Sequence, residues 1–137
     1  MSLTLRDWLQ NGWLTEHGSS REEIRNLLAI ADRDLRASQI KDLDPDWRFA
    51  IAYNAALQTA VAALAAPGHS AARESHHYRV IESLELTIQA DPKLIRQFDV
   101  SRKKRNISSY ETCGAVSARE AQEMRALAVK LRDQVEK

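Results

Sequence analysis

The sequence predicts an all-α protein, an up-and-down bundle of about five helices preceded by a short N-terminal helix. Apolar residues recur at helical spacing along most of the chain, and no stretch alternates as a half-buried strand would. Ser-x-x-Glu and Asp-Pro pairs, which are typical helix starts, recur before these stretches. The 137 residues fit one domain. We assign residues 1–18 to the leading helix and a linker, and residues 19–137 to the bundle.

Two amphipathic helices are expected before the centre of the bundle. An amphipathic helix is expected over about residues 3–12, with Trp8 on its apolar side. Two overlapping Ser-x-x-Glu capping boxes within residues 19–23 then open a helix that runs to about Gln39.

The next helix is the most apolar and is expected at the centre of the bundle. Asp44 and Pro45 supply an N-cap and a first-turn proline, and Pro67-Gly68 ends the helix after Ala66. Its stretch FAIAYNAALQTAVAALAA is interrupted by polar residues and is shorter than the ~20 apolar residues of a membrane span. It therefore indicates a buried helix.

Three further signals complete the bundle. Residues from Tyr78 to Ile88 place apolar side chains at the spacing of one helical face, which predicts a shorter helix. Asp91-Pro92 opens a basic helix over about residues 92–110. Ser117 with Glu120 forms a capping box that opens the last helix.

Charge is distributed unevenly. The net charge is only +1, yet residues 91–105 hold six basic and two acidic side chains. One positive segment on a mildly acidic chain suits a local anion site better than a broad nucleic-acid surface. A single cysteine, Cys113, and an N-terminus without a secretory signal predict a cytoplasmic protein that crosses no membrane.

The sequence contains no pattern typical of a metal site or a cofactor site. His76 and His77 are adjacent, so on a helix their side chains diverge by about 100° and cannot chelate together. No Cys/His cluster or glycine-rich phosphate loop is present in the sequence. We expect no metal and no cofactor, and histidines that are solvated or partly packed. Trp47 and the other tryptophans are expected to pack, because base stacking would require basic neighbours.

The candidate site is a polar strip on the basic helix. Residues 102, 106 and 110 follow one i, i+4, i+8 line, and residues 105 and 109 lie beside it. Guanidinium groups match phosphate geometry with paired donors, while an amide and a phenol add orientation. The alternative is a solvated charge run near a helix C-terminus. The members of the predicted site are Arg102, Lys103, Lys104, Arg105, Asn106, Ser109 and Tyr110.

The order of these helices and the late motif RKKRNISSYE resemble the HEPN superfamily, over about residues 20–135. The resemblance is to small stand-alone prokaryotic members with an Arg-Arg-Asn-x-x-x-Tyr motif. It implies a homodimer, a role beside an antitoxin or a nucleotidyltransferase, and motif residues Arg105 and Asn106. The superfamily's active histidine position falls on Tyr110, and a free tyrosine with a pKa of ~10 is a poor general base.

Three functions remain open from the sequence. The first is a module that binds RNA or a nucleotide phosphate without efficient cleavage. The second is a metal-independent ribonuclease that uses Arg105 and a Tyr110 whose pKa is lowered by cations. The third is a protein-interaction bundle, in which Arg102 and Arg105 would pair with acidic residues of another helix and leave no cleft beside them.

Overall fold

The computed structural model describes residues 3–110 and 116–135, with the side chains of residues 106–110 excepted. This part of the chain forms an all-α helical bundle, as predicted, with one very small sheet. The elements in chain order are α1 (Leu5–Gln10), β1 (Leu14–Glu16), α2 (Arg21–Ala37), α3 (Pro45–Ala65), β2 (His69–Ala71), α4 (His76–Glu82), α5 (Leu84–Thr87), α6 (Pro92–Tyr110) and α7 (Ala118–Gln134).

Helix starts follow the capping signals of the sequence closely. The Ser20 hydroxyl accepts a hydrogen bond from the Glu23 amide at the start of α2. Ser117 and Glu120 form a reciprocal capping box at the start of α7. Each box satisfies amide groups that have no partner within the helix. Asp44 occupies the N-cap position of α3, but its side chain makes no capping hydrogen bond there.

Helix α3 lies at the centre of the bundle, with α2 and α7 packed along it. Twelve of its residues are buried, most of them alanines, which allow the neighbouring backbones to approach closely. The largest fully buried side chains include Tyr53 and Leu64 of α3 and Phe98 of α6. Tight packing around such residues supplies most of the stability of a small bundle.

The two short strands were not predicted. Leu14 pairs with Ala71 and Glu16 with His69 in an antiparallel register, which ties the linker after α1 to the loop after α3. Leu14 is buried under this pairing, whereas the two residues that follow it are exposed. Three residues are too few to show the alternation by which a strand is recognised in a sequence.

The helix predicted across residues 78–88 is divided in two. Helix α4 ends at Ser83, a buried residue whose hydroxyl donates to the Val80 carbonyl oxygen, and α5 adds one further turn. Ser75, immediately before α4, adopts a left-handed backbone with φ of 55°. No helix in the described ranges is both long and apolar enough to cross a membrane.

Candidate functional site

Helix α6 is anchored beneath its basic residues by aromatic packing. Phe98 is fully buried, and its ring meets that of Tyr53 of α3 edge-on at a centroid distance of 5.7 Å. Edge-to-face pairs of this kind add to the energy gained from burying the rings. The contact holds the first turns of α6 against α3, so that the residues after Phe98 lie beside α4.

Three of the four consecutive cations on α6 have carboxylate partners. Arg102 Nε donates to Asp99 Oδ1 at 2.8 Å, and Lys103 Nζ lies 3.8 Å from the other oxygen of Asp99. Lys104 Nζ lies 3.3 Å from Glu120 on α7. Much of the positive charge that the sequence concentrates here is therefore balanced within the fold. The predicted flanking role of Lys103 and Lys104 stays a prediction.

Arg105 lies against the core aromatic residues. Its guanidinium carbon is 5.4 Å from the centroid of the Tyr53 ring, which places the charge over the face of the ring. Its Nε atom is covered from solvent. Such a cation–π contact fixes the arginine side chain and keeps a positive charge close to residues of α3 and α4.

Tyr53, which is fully buried, and His77, which is partly buried, form a polar pair beside these arginines. The Tyr53 hydroxyl lies 3.2 Å from His77 Nδ1, within hydrogen-bonding distance. Burial raises the pKa of Tyr53 to about 12, although Arg105 and Arg102 oppose the shift. Burial, together with the positive charges of Arg105, His76 and Arg102, lowers the pKa of His77 below its usual 6.5. At neutral pH both side chains are uncharged.

A cleft of about 410 Å³ opens between the start of α4 and the middle of α6. The Arg102 guanidinium carbon lies 5.7 Å from the centroid of the Tyr78 ring across this cleft. Arg102 is partly accessible, with 22% of its side chain exposed. We call this space the α4–α6 cleft. Its lining residues are Ser75, His76, His77, Tyr78 and Arg102.

The chemistry of the α4–α6 cleft suits an anion. Asp99 is the only hydrogen-bond partner of Arg102 within the part of the chain that the structure describes, and only Nε is used. The terminal nitrogens of the guanidinium thus retain their donors, which match the oxygens of a phosphate. Two imidazoles and a phenol beside them add further hydrogen-bonding groups.

Sequence reasoning missed the α4 side of this site. His76 and His77 give no metal pair because adjacent helical side chains diverge, and Tyr78 was interpreted as part of the apolar face of a short helix. The run of two histidines and a tyrosine was itself a signal of a polar surface. Its partners, Tyr53 and Arg102, lie more than 20 positions away in the sequence and are joined to it only by the fold.

Several predicted members lie outside the described residues. Helix α6 continues to Tyr110, as expected, so its backbone allows the predicted i, i+4, i+8 line. The side chains of Asn106, Ser109 and Tyr110 lie outside the described part, and so do Cys113 and Gly114. Their assigned roles stay predictions.

The geometry also bears on the predicted interaction bundle. That hypothesis required Arg102 to pair with another helix and to leave no cleft beside it. Arg102 instead pairs with Asp99 three residues earlier on α6, and the α4–α6 cleft lies next to it. No group of three potential metal ligands occurs within residues 3–105 and 116–135.

Comparison with known proteins identifies no relative. The chain matches no protein-family model, and neither a curated protein nor a solved structure is significantly similar to it.

Proposed function

We propose that this protein is a HEPN-like helical bundle that binds phosphate groups of RNA, or of a nucleotide, in the α4–α6 cleft. The observation that carries the proposal is the position of Arg102, whose terminal guanidinium nitrogens border the cleft beside His76, His77 and Tyr78. A guanidinium with unused donors, next to polar aromatic groups, is suited to hold phosphate while a base or ribose contacts the rings.

The electrostatics of the cleft support this proposal. Arg102 and Arg105 are both close enough to His77 to disfavour its protonation, and so the cleft has a positive potential. Asp99 offsets part of this charge, which favours one or a few phosphate contacts over a broad nucleic-acid surface. The homodimer and the antitoxin or nucleotidyltransferase partner belong to the proposal through the HEPN resemblance.

The test is binding of a fluorescein-labelled single-stranded RNA, measured by fluorescence anisotropy over a range of salt concentrations. Arg102→Gln should weaken binding about tenfold, the scale of a lost charge-assisted hydrogen bond. Binding by the wild type should weaken as salt rises, with a logarithmic slope of about −0.7 for each phosphate neutralised.

The matched control is Arg96→Gln, which removes an equal charge from an exposed position of the same helix. It should change affinity less than Arg102→Gln does. Arg102→Gln also leaves the negative charge of Asp99 without its arginine partner. The double variant Asp99→Asn/Arg102→Gln removes that negative charge too, so it measures the loss of the guanidinium alone. Equal losses at positions 96 and 102 would refute the assignment of the cleft.

A specific observation favours ribonuclease activity as a second candidate. His77 is neutral at pH 7 because its pKa is lowered, so it is available to accept a proton. When Nδ1–H donates to the Tyr53 oxygen, the lone pair of Nε2 can take the proton of a 2′-hydroxyl as its oxygen bonds to phosphorus. The P–O5′ bond breaks in the same step, and the leaving 5′-oxygen takes a proton from water. Arg102 would stabilise the charge that develops on the phosphate oxygens.

Incubation of the protein with mixed RNA in EDTA tests this candidate. The expected result is cleavage that persists in EDTA and is lost in His77→Gln. Tyr110→Phe should retain cleavage if His77 is the base and should lose it if the phenol is. Intact RNA with wild-type protein would exclude both versions and leave the binding proposal standing.

A further inference from the structure

A second basic pocket lies on a different part of the bundle, between the end of α2, the start of α3 and the first turns of α7. Its volume is about 560 Å³, within the ~300–1,000 Å³ range of small-ligand sites. We call it the 41/48/125 pocket after its three cations. Its lining residues are Ser38, Gln39, Lys41, Arg48, Ala118, Ala121, Gln122 and Arg125.

The three cations of this pocket have no carboxylate partner among the residues that the structure describes. No ion pair joins Lys41, Arg48 or Arg125 to any residue within the described ranges, and no described acidic side chain lines the pocket. Like charges that line one pocket repel one another. An anion bound among them would relieve this repulsion.

The hydrogen-bonding groups of the pocket are also largely unused. Arg48 Nε donates to the Leu43 carbonyl oxygen at 3.1 Å, which orients the guanidinium and leaves its terminal nitrogens without acceptors among the described residues. Arg125 makes no hydrogen bond to a described residue, and its Nε is buried without an acceptor. Two guanidiniums and one ammonium with unused donors suit the several oxygens of a phosphate.

An exposed aromatic residue stands next to the pocket in the sequence. Trp47, which precedes Arg48 in the first turn of α3, exposes 63% of its surface, the second largest value among the exposed large hydrophobic residues. A solvent-exposed indole ring can stack on a nucleobase, while nearby cations hold the phosphate. Inorganic phosphate has no ring that could stack on this indole, whereas a nucleotide has one.

We propose that the 41/48/125 pocket binds a nucleotide, with the phosphate held by Lys41, Arg48 and Arg125 and the base stacked on Trp47. This site is separate from the α4–α6 cleft. The first turn of α7 has Glu120 directed to Lys104 of α6, whereas Ala118 and Ala121 line the pocket. The inference does not depend on RNA binding in the cleft.

Isothermal titration calorimetry at low salt, with AMP, adenosine and inorganic phosphate as separate probes, tests the inference. AMP should bind more tightly than phosphate, and adenosine should bind weakly or not at all. Arg125→Gln should weaken AMP binding about tenfold. Lys41→Gln, at an exposed position where the substitution does not disturb the core, should weaken it by a similar factor. Trp47→Leu should reduce the affinity for AMP to that for phosphate.

Two variants serve as controls. Arg119→Gln removes an arginine that lies on α7 outside the pocket and should leave AMP binding unchanged. Arg102→Gln should also leave it unchanged. Loss of AMP binding in Arg102→Gln would assign the nucleotide to the α4–α6 cleft and overturn this inference. Equal affinities of the wild type for AMP and phosphate would overturn the nucleotide assignment.

Discussion

The basic run of α6 and the 41/48/125 pocket differ in what surrounds their cations. At residues 102–105 the charges are consecutive in sequence, and Asp99 and Glu120 balance three of them. In the pocket the cations come from a loop, α3 and α7, and no described carboxylate pairs with them. A dense run of charge in a sequence therefore does not mean that these charges are unbalanced in the fold, because carboxylates on the same or an adjacent helix can pair with them.

The two regions also differ in what holds their cations in place, since the basic run of α6 lies above the Phe98–Tyr53 contact. Phe98→Ala removes this contact and has the largest expected effect. Phe98 is fully buried and contacts Tyr53 beneath the basic run, so truncation should lower the free energy of unfolding by about 3–5 kcal/mol. Val100→Ala, at an exposed position of the same helix, should change it by less than about 0.5 kcal/mol. Urea denaturation followed by circular dichroism measures both values. Similar values for the two variants would show that α6 does not depend on this contact.

The second prediction removes the carboxylate that distinguishes the two regions. Asp99→Asn frees Arg102 and Lys103 from their common partner, so RNA affinity at the α4–α6 cleft should rise about threefold or more, with a steeper salt dependence. AMP affinity at the 41/48/125 pocket should not change. The RNA anisotropy assay and AMP calorimetry measure the two effects.

Glu123→Gln is the matched control, because it removes an exposed carboxylate from α7 that is 3.9 Å from Arg119. It should leave the RNA affinity as in the wild type. A similar gain from Glu123→Gln would mean that net charge, and not release of Arg102, strengthens binding.

The third prediction uses pH, because a histidine with a shifted pKa belongs to the cleft alone. The lowered pKa of His77 means that the unfolded chain binds more protons than the folded chain as pH falls through about 6.5. The contribution of neutral His77 to stability is thus fully present above that pH and decreases below it. Glu82 has a raised pKa from burial and from Asp99 and Glu85, which acts in the opposite direction at lower pH.

Urea denaturation at several pH values between mildly acidic and neutral measures this effect. His77→Gln keeps a hydrogen-bonding group for Tyr53 and retains Glu82. The difference in pH dependence between the wild type and this variant therefore reports the titration of His77 alone. The variant should lose less stability on acidification than the wild type does. Identical pH dependence in both proteins would contradict the burial-induced shift of the His77 pKa.

The fold was largely predictable because its signals are local. The Asp91-Pro92 pair, the Ser117 capping box and the Pro67-Gly68 stop mark helix ends within one or two residues of where they occur. The break at Ser83 was missed, since apolar spacing continues through it. The strand pairing of Leu14 with Ala71 was missed as well, because it joins segments that are distant in sequence.

The sites were predictable only where their members are close in sequence. Arg102 was identified from its own helix, whereas its ion pair with Asp99, three residues earlier, was not predicted. The contact of His77 with Tyr53 and the convergence of Lys41 with Arg125 depend on helix packing, which residue spacing does not encode. Trp47 was expected to pack for lack of basic neighbours. It is exposed, and Arg48, the next residue in the chain, lines the 41/48/125 pocket.

The smallest expected effect concerns the ion pair that joins α6 to α7. Lys104 and Glu120 are both partly exposed, so a double-mutant cycle of Lys104→Gln and Glu120→Gln should give a coupling of only about 0.2–1 kcal/mol in the free energy of unfolding. Glutamine at position 120 can still accept the Ser117 amide hydrogen bond, and so the cycle leaves the capping box in place. High salt should abolish the coupling. A larger, salt-resistant value would mean that this pair fixes the position of the basic run, which would make Lys104 a structural residue rather than a source of charge for the cleft.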